Sequence, residues 1–384
     1  MLNNIIQDIQ YSRDNADQYG IKIDPQKETD SNSNLDAYLL SSALQIKNDL
    51  FPKIYQSISD VKDKLNLKDI YNFYVSPDNS SANAYCKVMP RSDRVDIVFT
   101  SRLIELLSAE ELKFVVAHEI AHHQYQHYLY PSPRETESSL RYFNLVSLQK
   151  NAEISADRLG FLALGDLETT IKAMIKISSG LSSEYIKYNY ENFMRQLQDL
   201  KKLERNPYLM NSSHPSIFTR AQSILWFSES KEYLEFTNSK IKGQYSLKEV
   251  DILIEAALAE LVSKDQDQIF GDRSRTCLFW CLIYLMSIDK KFSKKEQEYL
   301  SSIFTNEKVN SLKKYMGSKK NNISQVLETR MKEELQRSID LPKPKKIEIR
   351  EKLQDYLDRF VEKDTDEHIL YIKAFGKILG ILKV

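Results

Sequence analysis

The chain has 384 residues, with 54 lysines and arginines against 54 aspartates and glutamates, so its formal net charge is zero. That balance excludes the one-signed surface of a nucleic-acid-binding protein, and the length leaves room for two or three domains. Nine glycines and ten prolines favour helix over short-stranded β architecture.

Residues 1–34 read as a polar N-terminal segment, irregular or weakly helical. Ser31-Asn32-Ser33-Asn34 forms a loop able to cap a helix from Leu35 to about Ile46. A second helix covers about Pro52 to Leu65. Tyr71 to Val75 reads as a strand, Asp78 to Ser81 as a turn, and Asn83-Ala84-Tyr85 and Val95 to Thr100 as two further strands. These make a sheet of three or more strands. Ser108-Ala109-Glu110-Glu111 is a capping box that starts a helix running to about Tyr128. Leu112, Val115, Val116 and Ile120 form its apolar stripe, and Ala117 and Ala121 let another element approach closely.

Inside that helix lies His118-Glu119-Ile120-Ala121-His122, an H-E-x-x-H motif. Residues four apart share a helix face, so His118 and His122 can offer two imidazoles to one Zn²⁺, with Glu119 beside them as general base. His123 points about 100° away from His122, and His127 reads as a wet surface residue. A zinc hydrolase needs a third protein ligand and an open position for water. About thirty residues on, Asn151-Ala152-Glu153-Ile154-Ser155-Ala156-Asp157-Arg158 reads as helix. There Glu153 is the candidate third ligand. Asp157, one turn further, is the candidate partner for the outer N–H of a ligand histidine.

These residues carry a family resemblance. Asn83-Ala84-Tyr85, the strand Val95 to Thr100 with the run Leu103 to Leu112, Val116 to His122, and Glu153-Ile154-Ser155-Ala156-Asp157-Arg158 resemble, in order, the gluzincin-type zinc peptidases that include the HtpX heat-shock protease and the CAAX prenyl endopeptidase. Ser213-His214-Pro215-Ser216 with Arg220 resembles their His-Pro element. The resemblance spans residues 70 to 225. It implies a zincin-like fold, one Zn²⁺ per chain on His118, His122 and Glu153, and water activated by the metal with Glu119 as base. It implies a sheet edge at Asn83, Ala84 and Tyr85 that pairs with substrate backbone. His214 is a candidate donor to the substrate carbonyl or extra ligand, with Arg220 bracing the site; a loop histidine packed on Pro215 is an equal reading. After Tyr85 the chain runs Cys86-Lys87-Val88-Met89-Pro90, without the glycine-rich hairpin common in these peptidases.

Pro131-Ser132-Pro133 breaks the chain after the metal helix, and a stretch with Tyr185, Tyr188 and Tyr190 leads to a loop from Asn206 to Pro215. A helix from about Arg220 to Phe236 closes a metallopeptidase domain of residues 35–240. Asn238 to Tyr245 reads as a linker, followed by a capping box at Ser246 to Glu249. Residues 246–384 read as an all-helical domain. Ser287-Ile288-Asp289-Lys290-Lys291-Phe292-Ser293-Lys294-Lys295-Glu296 resembles the turn of TerB-like helical domains, with a weaker echo from Val361 to Glu367. Lys313-Lys314, Lys319-Lys320 and Lys343 to Lys346 read as solvated turns. Cys277 and Cys281, one turn apart among apolar neighbours, read as core. The fold class is thus mainly α, α+β.

Three cysteines indicate a reducing compartment. The longest apolar run is about half of the ~20 residues a bilayer-spanning helix needs, and the first residues lack a signal-peptide pattern. The expectation is a cytoplasmic zinc endopeptidase without a transmembrane segment. Its partners are a protein or peptide substrate and a protein partner for the C-terminal domain, which serves recruitment or stress sensing; nucleic acid is not among them. The alternative is a catalytically silent adaptor that keeps a peptidase-like shell.

Overall fold

Val95-Asp96-Ile97-Val98-Phe99-Thr100 is buried at every position, and the first of two units is built on it. The computed structural model describes residues 2–383 apart from 12, 22, 24–36, 38, 40, 68–69, 89–93, 134–138, 204–211, 290–291, 306, 311 and 313–322. Its contacts divide the chain into Met1–Thr136 with Phe143–Ser263, and Glu137–Tyr142 with Lys264–Val384.

The first unit holds a four-stranded sheet of β1 (Leu44–Gln45), β2 (Tyr71–Ser76), β3 (Ala84–Val88) and β4 (Val95–Thr100), in the order β1-β2-β4-β3. β4 runs parallel to β2 and antiparallel to β3. A strand covered on both faces reads as a near-continuous apolar run, and β4 follows this except at Asp96, which pairs with Arg94 at 2.7 Å, and at its last residue Thr100. β3 ends the order, so one of its edges is open. With the sheet go α1 (Leu2–Asp8), α2 (Pro52–Lys64), α3 (Ser101–Leu106), α4 (Ala109–Gln124), α5 (Ser139–Leu164) from Phe143 on, α6 (Leu167–Ser179), α7 (Tyr190–Lys201), α8 (Ile217–Ser228) and α9 (Lys231–Phe236). α4 is the centre of this unit. It packs on α2, α6, β3 and β4, and Leu112, Val115, Val116 and Ile120 are buried together with Ala117 and Ala121.

The structure corrects several expectations. The helix placed from Leu35 to Ile46 gives way to β1 at Leu44, which pairs with Val75; its first residues lie outside the described residues. The N-terminal segment is helical over α1, within the expected irregular or weakly helical character, but it is not only polar: Ile5, Ile9, Tyr11 and Ile21 are buried. The helix expected from Arg220 to Phe236 is two, because Ser230 is buried and caps a new helix by accepting from the Tyr233 N–H. The expected linker is tied back to that break: Gln244 donates to the Glu229 carbonyl, and Lys231 donates to that of Tyr245. The contacts place the division at 263/264, because Val250 and Ile254 pack with Tyr11 and Ile154.

The second unit is all helical over its described residues. It takes the later part of α10 (Leu247–Met286), with α11 (Lys294–Ile303), α12 (Ile323–Arg337), α13 (Lys343–Phe360) and α14 (Asp366–Leu382). Cys277, Cys281, Leu282, Met331, Leu353 and Ile378 share its core. Ser293 and Glu296 form the expected capping box, and Glu296 also accepts from the Tyr356 hydroxyl at 2.6 Å. Lys343 to Lys346 open α13 rather than forming a turn. Lys290, Lys291 and the lysine pairs at 313–314 and 319–320 lie outside the described residues.

Candidate metal centre

Two helices carry the groups that converge. α4 begins at Ser108, whose Oγ accepts from the Glu111 N–H at 3.3 Å while Glu111 Oε2 accepts from the Ser108 N–H at 2.7 Å. The same oxygen receives Lys176 Nζ from α6 at 2.6 Å, so a buried ion pair tethers the first turn. Two turns on, His118, Glu119 and His122 reach a cleft of about 460 Å³ whose lining includes Tyr85, Cys86, Glu153, His214 and Arg220. α5 brings Glu153 and Asp157 against this face. The approach is close because position 160 is glycine: a Cβ there would lie 2.9 Å from the Phe114 carbonyl of α4.

The spacing of the donor atoms is informative. His118 Nε2 and His122 Nε2 are 3.3 Å apart. Glu153 Oε2 is 3.6 Å from His118 Nε2, and Glu153 Oε1 is 3.6 Å from His122 Nε2. One ligand atom from each residue lies within 4.8 Å of the other two. Tetrahedral ligands about 2.0–2.1 Å from zinc are separated by about 3.3–3.4 Å along each edge. The two imidazoles match one such edge, and the Glu153 carboxylate faces both of them, a donor set of two nitrogens and an oxygen that suits Zn²⁺.

The outer side of His118 is held as the sequence suggests. Its Nδ1 faces Asp157 Oδ1 at 3.0 Å. Asp157 in turn accepts from Arg220 Nε at 2.7 Å and Nη2 at 2.6 Å, the paired geometry in which a guanidinium best orients a carboxylate. Arg220 Nη1 also lies 3.4 Å from Glu153 Oε2. His214 sits at the mouth with its side chain 59% exposed and its Nε2 3.5 Å from Glu153 Oε1; Ser213 Oγ meets its Nδ1 at 2.9 Å.

β3 borders the same cleft. The Asn83 carbonyl accepts from the Thr100 N–H, and the Asn83 N–H donates to Thr100 Oγ1. Alternate residues of an antiparallel strand turn their backbone groups to opposite sides, so Asn83 and Tyr85 bond toward β4 while Ala84 and Cys86 address the open edge. The Cys86 N–H reaches the Glu119 carboxylate. Of the three residues expected at a substrate edge, Ala84 has the outward backbone, Tyr85 adds a half-exposed ring, and Asn83 anchors the strand.

One part of the site escaped the sequence. His127, expected on a wet surface, is 9% exposed. α4 stops at Gln124, Gln126 takes a left-handed conformation (φ 58°), and a short 3₁₀ turn follows. The reversal carries His127 back beneath His122, where a helix continued to Tyr128 would have pointed it away. The Nδ1 atoms of His122 and His127 are 2.9 Å apart. His127 Nε2 is 2.6 Å from Asp14 Oδ2, and Asp14 Oδ1 accepts from the Tyr130 hydroxyl at 2.5 Å. His123 meets the Tyr71 hydroxyl at 2.9 Å.

The electrostatics divide these groups. Burial pushes the Glu119 carboxyl up to about 7 against the pull of His118. Burial also works to raise Glu153 and Asp157, but Arg220 and the neighbouring imidazoles hold each at about 2. Burial pushes His122 down to about 3. For His118 burial acts the same way, and the contact with Asp157 and the charge of Glu153 outweigh it and raise its pKa. Burial opposes ionisation of Asp14 too, and the hydrogen bonds from His127 and Tyr130 bring it below the usual aspartate value. Among carboxylates a few ångströms apart, Glu119 alone is poised near neutrality, as a proton carrier requires.

The comparisons agree with this chemistry. Residues 49–133 match peptidase family M48. Plastoglobule-localized metallopeptidase 48, chloroplastic, of Arabidopsis thaliana is 28% identical over 173 residues, 39% of this chain and 50% of that protein. The alignment thus spans half the length of that curated relative. No solved structure matches. Among the described residues no helix is long and apolar enough to cross a membrane.

Proposed function

We propose that this chain is a zinc-dependent endopeptidase in which His118, His122 and Glu153 hold one Zn²⁺ and Glu119 is the general base. The observation that carries the reading is the convergence of two imidazole Nε2 atoms 3.3 Å apart on the Glu153 carboxylate, with Glu119 beside them in a cleft bordered by an open strand edge. Family M48 and the metallopeptidase relative support proteolysis as the reaction class. Bound there, zinc supplies a water whose pKa is lowered toward neutrality and an electrophile for the scissile carbonyl.

The protein's own residues do the rest. An extended substrate adds to β3 by bonding to the outward N–H and C=O groups of Ala84, beside the Cys86 N–H that holds Glu119, which reads backbone and not sequence. Glu119 takes a proton from the attacking water on a carboxylate oxygen and delivers it to the leaving amine. Asp157, itself oriented by Arg220, fixes the ring of His118. His214, at the mouth, is placed to donate to the carbonyl oxygen as negative charge develops there. For residues 246–384 the TerB-like reading is carried forward, as a helical module that recruits substrate or a partner. A cytoplasmic location belongs to the same proposal.

The experiment compares wild type with Glu119→Gln for bound zinc and for cleavage of a casein-type substrate. The variant is expected to keep stoichiometric zinc and to lose at least about 10²-fold in rate, the lower range for a general base. Full activity in Glu119→Gln removes the proposed base. Zinc without cleavage in wild type favours the adaptor reading.

A further inference from the structure

The two imidazoles are not supported alike. Behind His118 stands a carboxylate braced by arginine, as the sequence suggests. Behind His122 stands another histidine, and behind that a carboxylate from the far N-terminal end of the chain. With Asp14 ionised and His127 neutral, the hydrogen-bond directions along this second line follow one from another. Asp14 as a carboxylate can only accept, so His127 donates to it from Nε2 across 2.6 Å. A neutral imidazole with its proton on Nε2 has a lone pair on Nδ1, which faces His122 Nδ1 at 2.9 Å. His122 must then carry its own proton on Nδ1, and its Nε2 lone pair is left to point at Glu153 and His118. That is the tautomer a ligand at Nε2 needs.

Asp14 is itself built in. It is 3% exposed and accepts from the Tyr130 hydroxyl at 2.5 Å and from Gln10 Nε2 at 3.2 Å. The strand of chain that carries it is fastened to α5, the helix of Glu153. The Tyr11 N–H donates to Ser155 Oγ at 2.9 Å. Arg158 Nη1 donates to the Ile9 carbonyl at 3.1 Å, and Asn151 Nδ2 to the Arg13 carbonyl at 3.0 Å. Three polar side chains within two turns of Glu153 thus hold the backbone at residues 9, 11 and 13. Residue 14 lies outside the segment 49–133 matched by the peptidase family.

We propose that Asp14 and His127 are positioning residues that set the tautomer and orientation of His122, making the segment that carries Asp14 an integral part of the metal centre. The inference rests on His122 being a zinc ligand. Hydrogen bonding to the outer nitrogen of a ligand histidine typically changes metal affinity by about 10–100-fold, so the relay is expected to show in binding and not only in turnover.

The test uses the full-length chain. Zinc affinity is measured by chelator competition for wild type, Asp14→Ala, His127→Phe, their double variant and His127→Gln. Asp14→Ala and His127→Phe are each expected to bind zinc about 10–100-fold more weakly, and the double variant no more weakly than His127→Phe, because the two act in series. Glutamine offers an acceptor toward His122 and a donor toward Asp14, so His127→Gln is expected to recover most of the loss. Nitrogen-15 spectra of histidine-labelled, metal-free wild type, with six histidines, read the tautomer directly and need no variant to fold. A proton on His122 Nδ1 supports the relay, and a proton on Nε2 overturns it. Unchanged affinity in Asp14→Ala and His127→Phe also overturns it. A wild type that binds no zinc overturns the assignment of His122 as ligand, and the tautomer then decides the relay alone.

Discussion

Gly160→Ala is the substitution that most directly probes how the two metal-bearing helices are held together. Gly160 is buried, two turns beyond Glu153 on the same face of α5, and it meets Phe114, one turn before His118 on α4. A Cβ at position 160 would lie 2.7 and 2.8 Å from two ring carbons of Phe114 and 2.9 Å from its carbonyl oxygen. Taken alone, alanine in a helix interior stabilises by about 1 kcal/mol over glycine. Inserting a methyl group into a packed contact opposes this by about 1–3 kcal/mol. The ring can turn aside, but the carbonyl belongs to the backbone of α4 and moves only with the helix. The net expectation is a loss of about 0–2 kcal/mol, with α5 displaced from α4 by a few tenths of an ångström. That displacement opens the 3.6 Å separations between Glu153 and the two imidazoles, and zinc affinity is expected to fall by about tenfold, the low end for loss of an outer support. Thermal unfolding of metal-free protein and chelator competition measure the two effects separately. Adding Phe114→Leu relieves the ring contacts and not the carbonyl, so it should restore only part of each. A higher melting temperature with unchanged zinc affinity would refute the close-approach argument.

Other expectations follow from the buried and surface charges. Lys176→Met strands Glu111, whose partner sits at 2.6 Å in a site where both side chains are about 5% exposed or less; breaking such a pair is expected to destabilise by about 3–5 kcal/mol. Urea unfolding should show most of that loss recovered in Lys176→Met with Glu111→Gln, since glutamine still accepts from the Ser108 N–H. In the second unit, Lys332 and Lys377 hold the Glu328 carboxyl at about 2 against an ordinary value of 4.5. A depressed carboxylate stabilises the fold above its unfolded pKa, and that contribution disappears as pH falls from 4.5 toward 2. Because the pair is largely solvated, Glu328→Gln is expected to lose less than about 1 kcal/mol at pH 7, and the difference from wild type should vanish near pH 2. A constant difference across that range would contradict the assignment.

What could be read beforehand was local in the chain. The capping box at Ser108, the H-E-x-x-H spacing and the Glu153/Asp157 pair each depend on residues within one or two helical turns. Helical geometry turns such spacing into a shared face. The strands Tyr71–Ser76 and Val95–Thr100 announced themselves by β-branched and aromatic runs. What stayed hidden depends on long-range contacts or on backbone that no residue type signals. Glutamine at position 126 gives no hint of the left-handed turn that brings His127 under His122. Asp14 lies 113 residues from His127, and although Leu2, Ile5, Ile6 and Ile9 fall at helical spacing, nothing local says that the chain just after them lies beneath the metal helix. Nothing local marks Arg158 as fully buried, and its bond to Asp251 at 2.6 Å spans 93 residues. Gly160 could not be told from any other helix glycine until Phe114 was seen against it. The signal available for His127 was its place five residues after His122 in a chain with only six histidines.

X-ray absorption at the zinc edge of the full-length, zinc-loaded protein examines the central claim with least intervening inference. The expected spectrum is that of one ion per chain with two imidazole nitrogens at about 2.0–2.1 Å, oxygen ligands at about 2.0–2.2 Å and no sulfur. Glu153→Ala should replace or lose an oxygen while leaving both imidazoles. Failure to retain stoichiometric zinc, or a sulfur shell at about 2.3 Å, would contradict the site built from His118, His122 and Glu153.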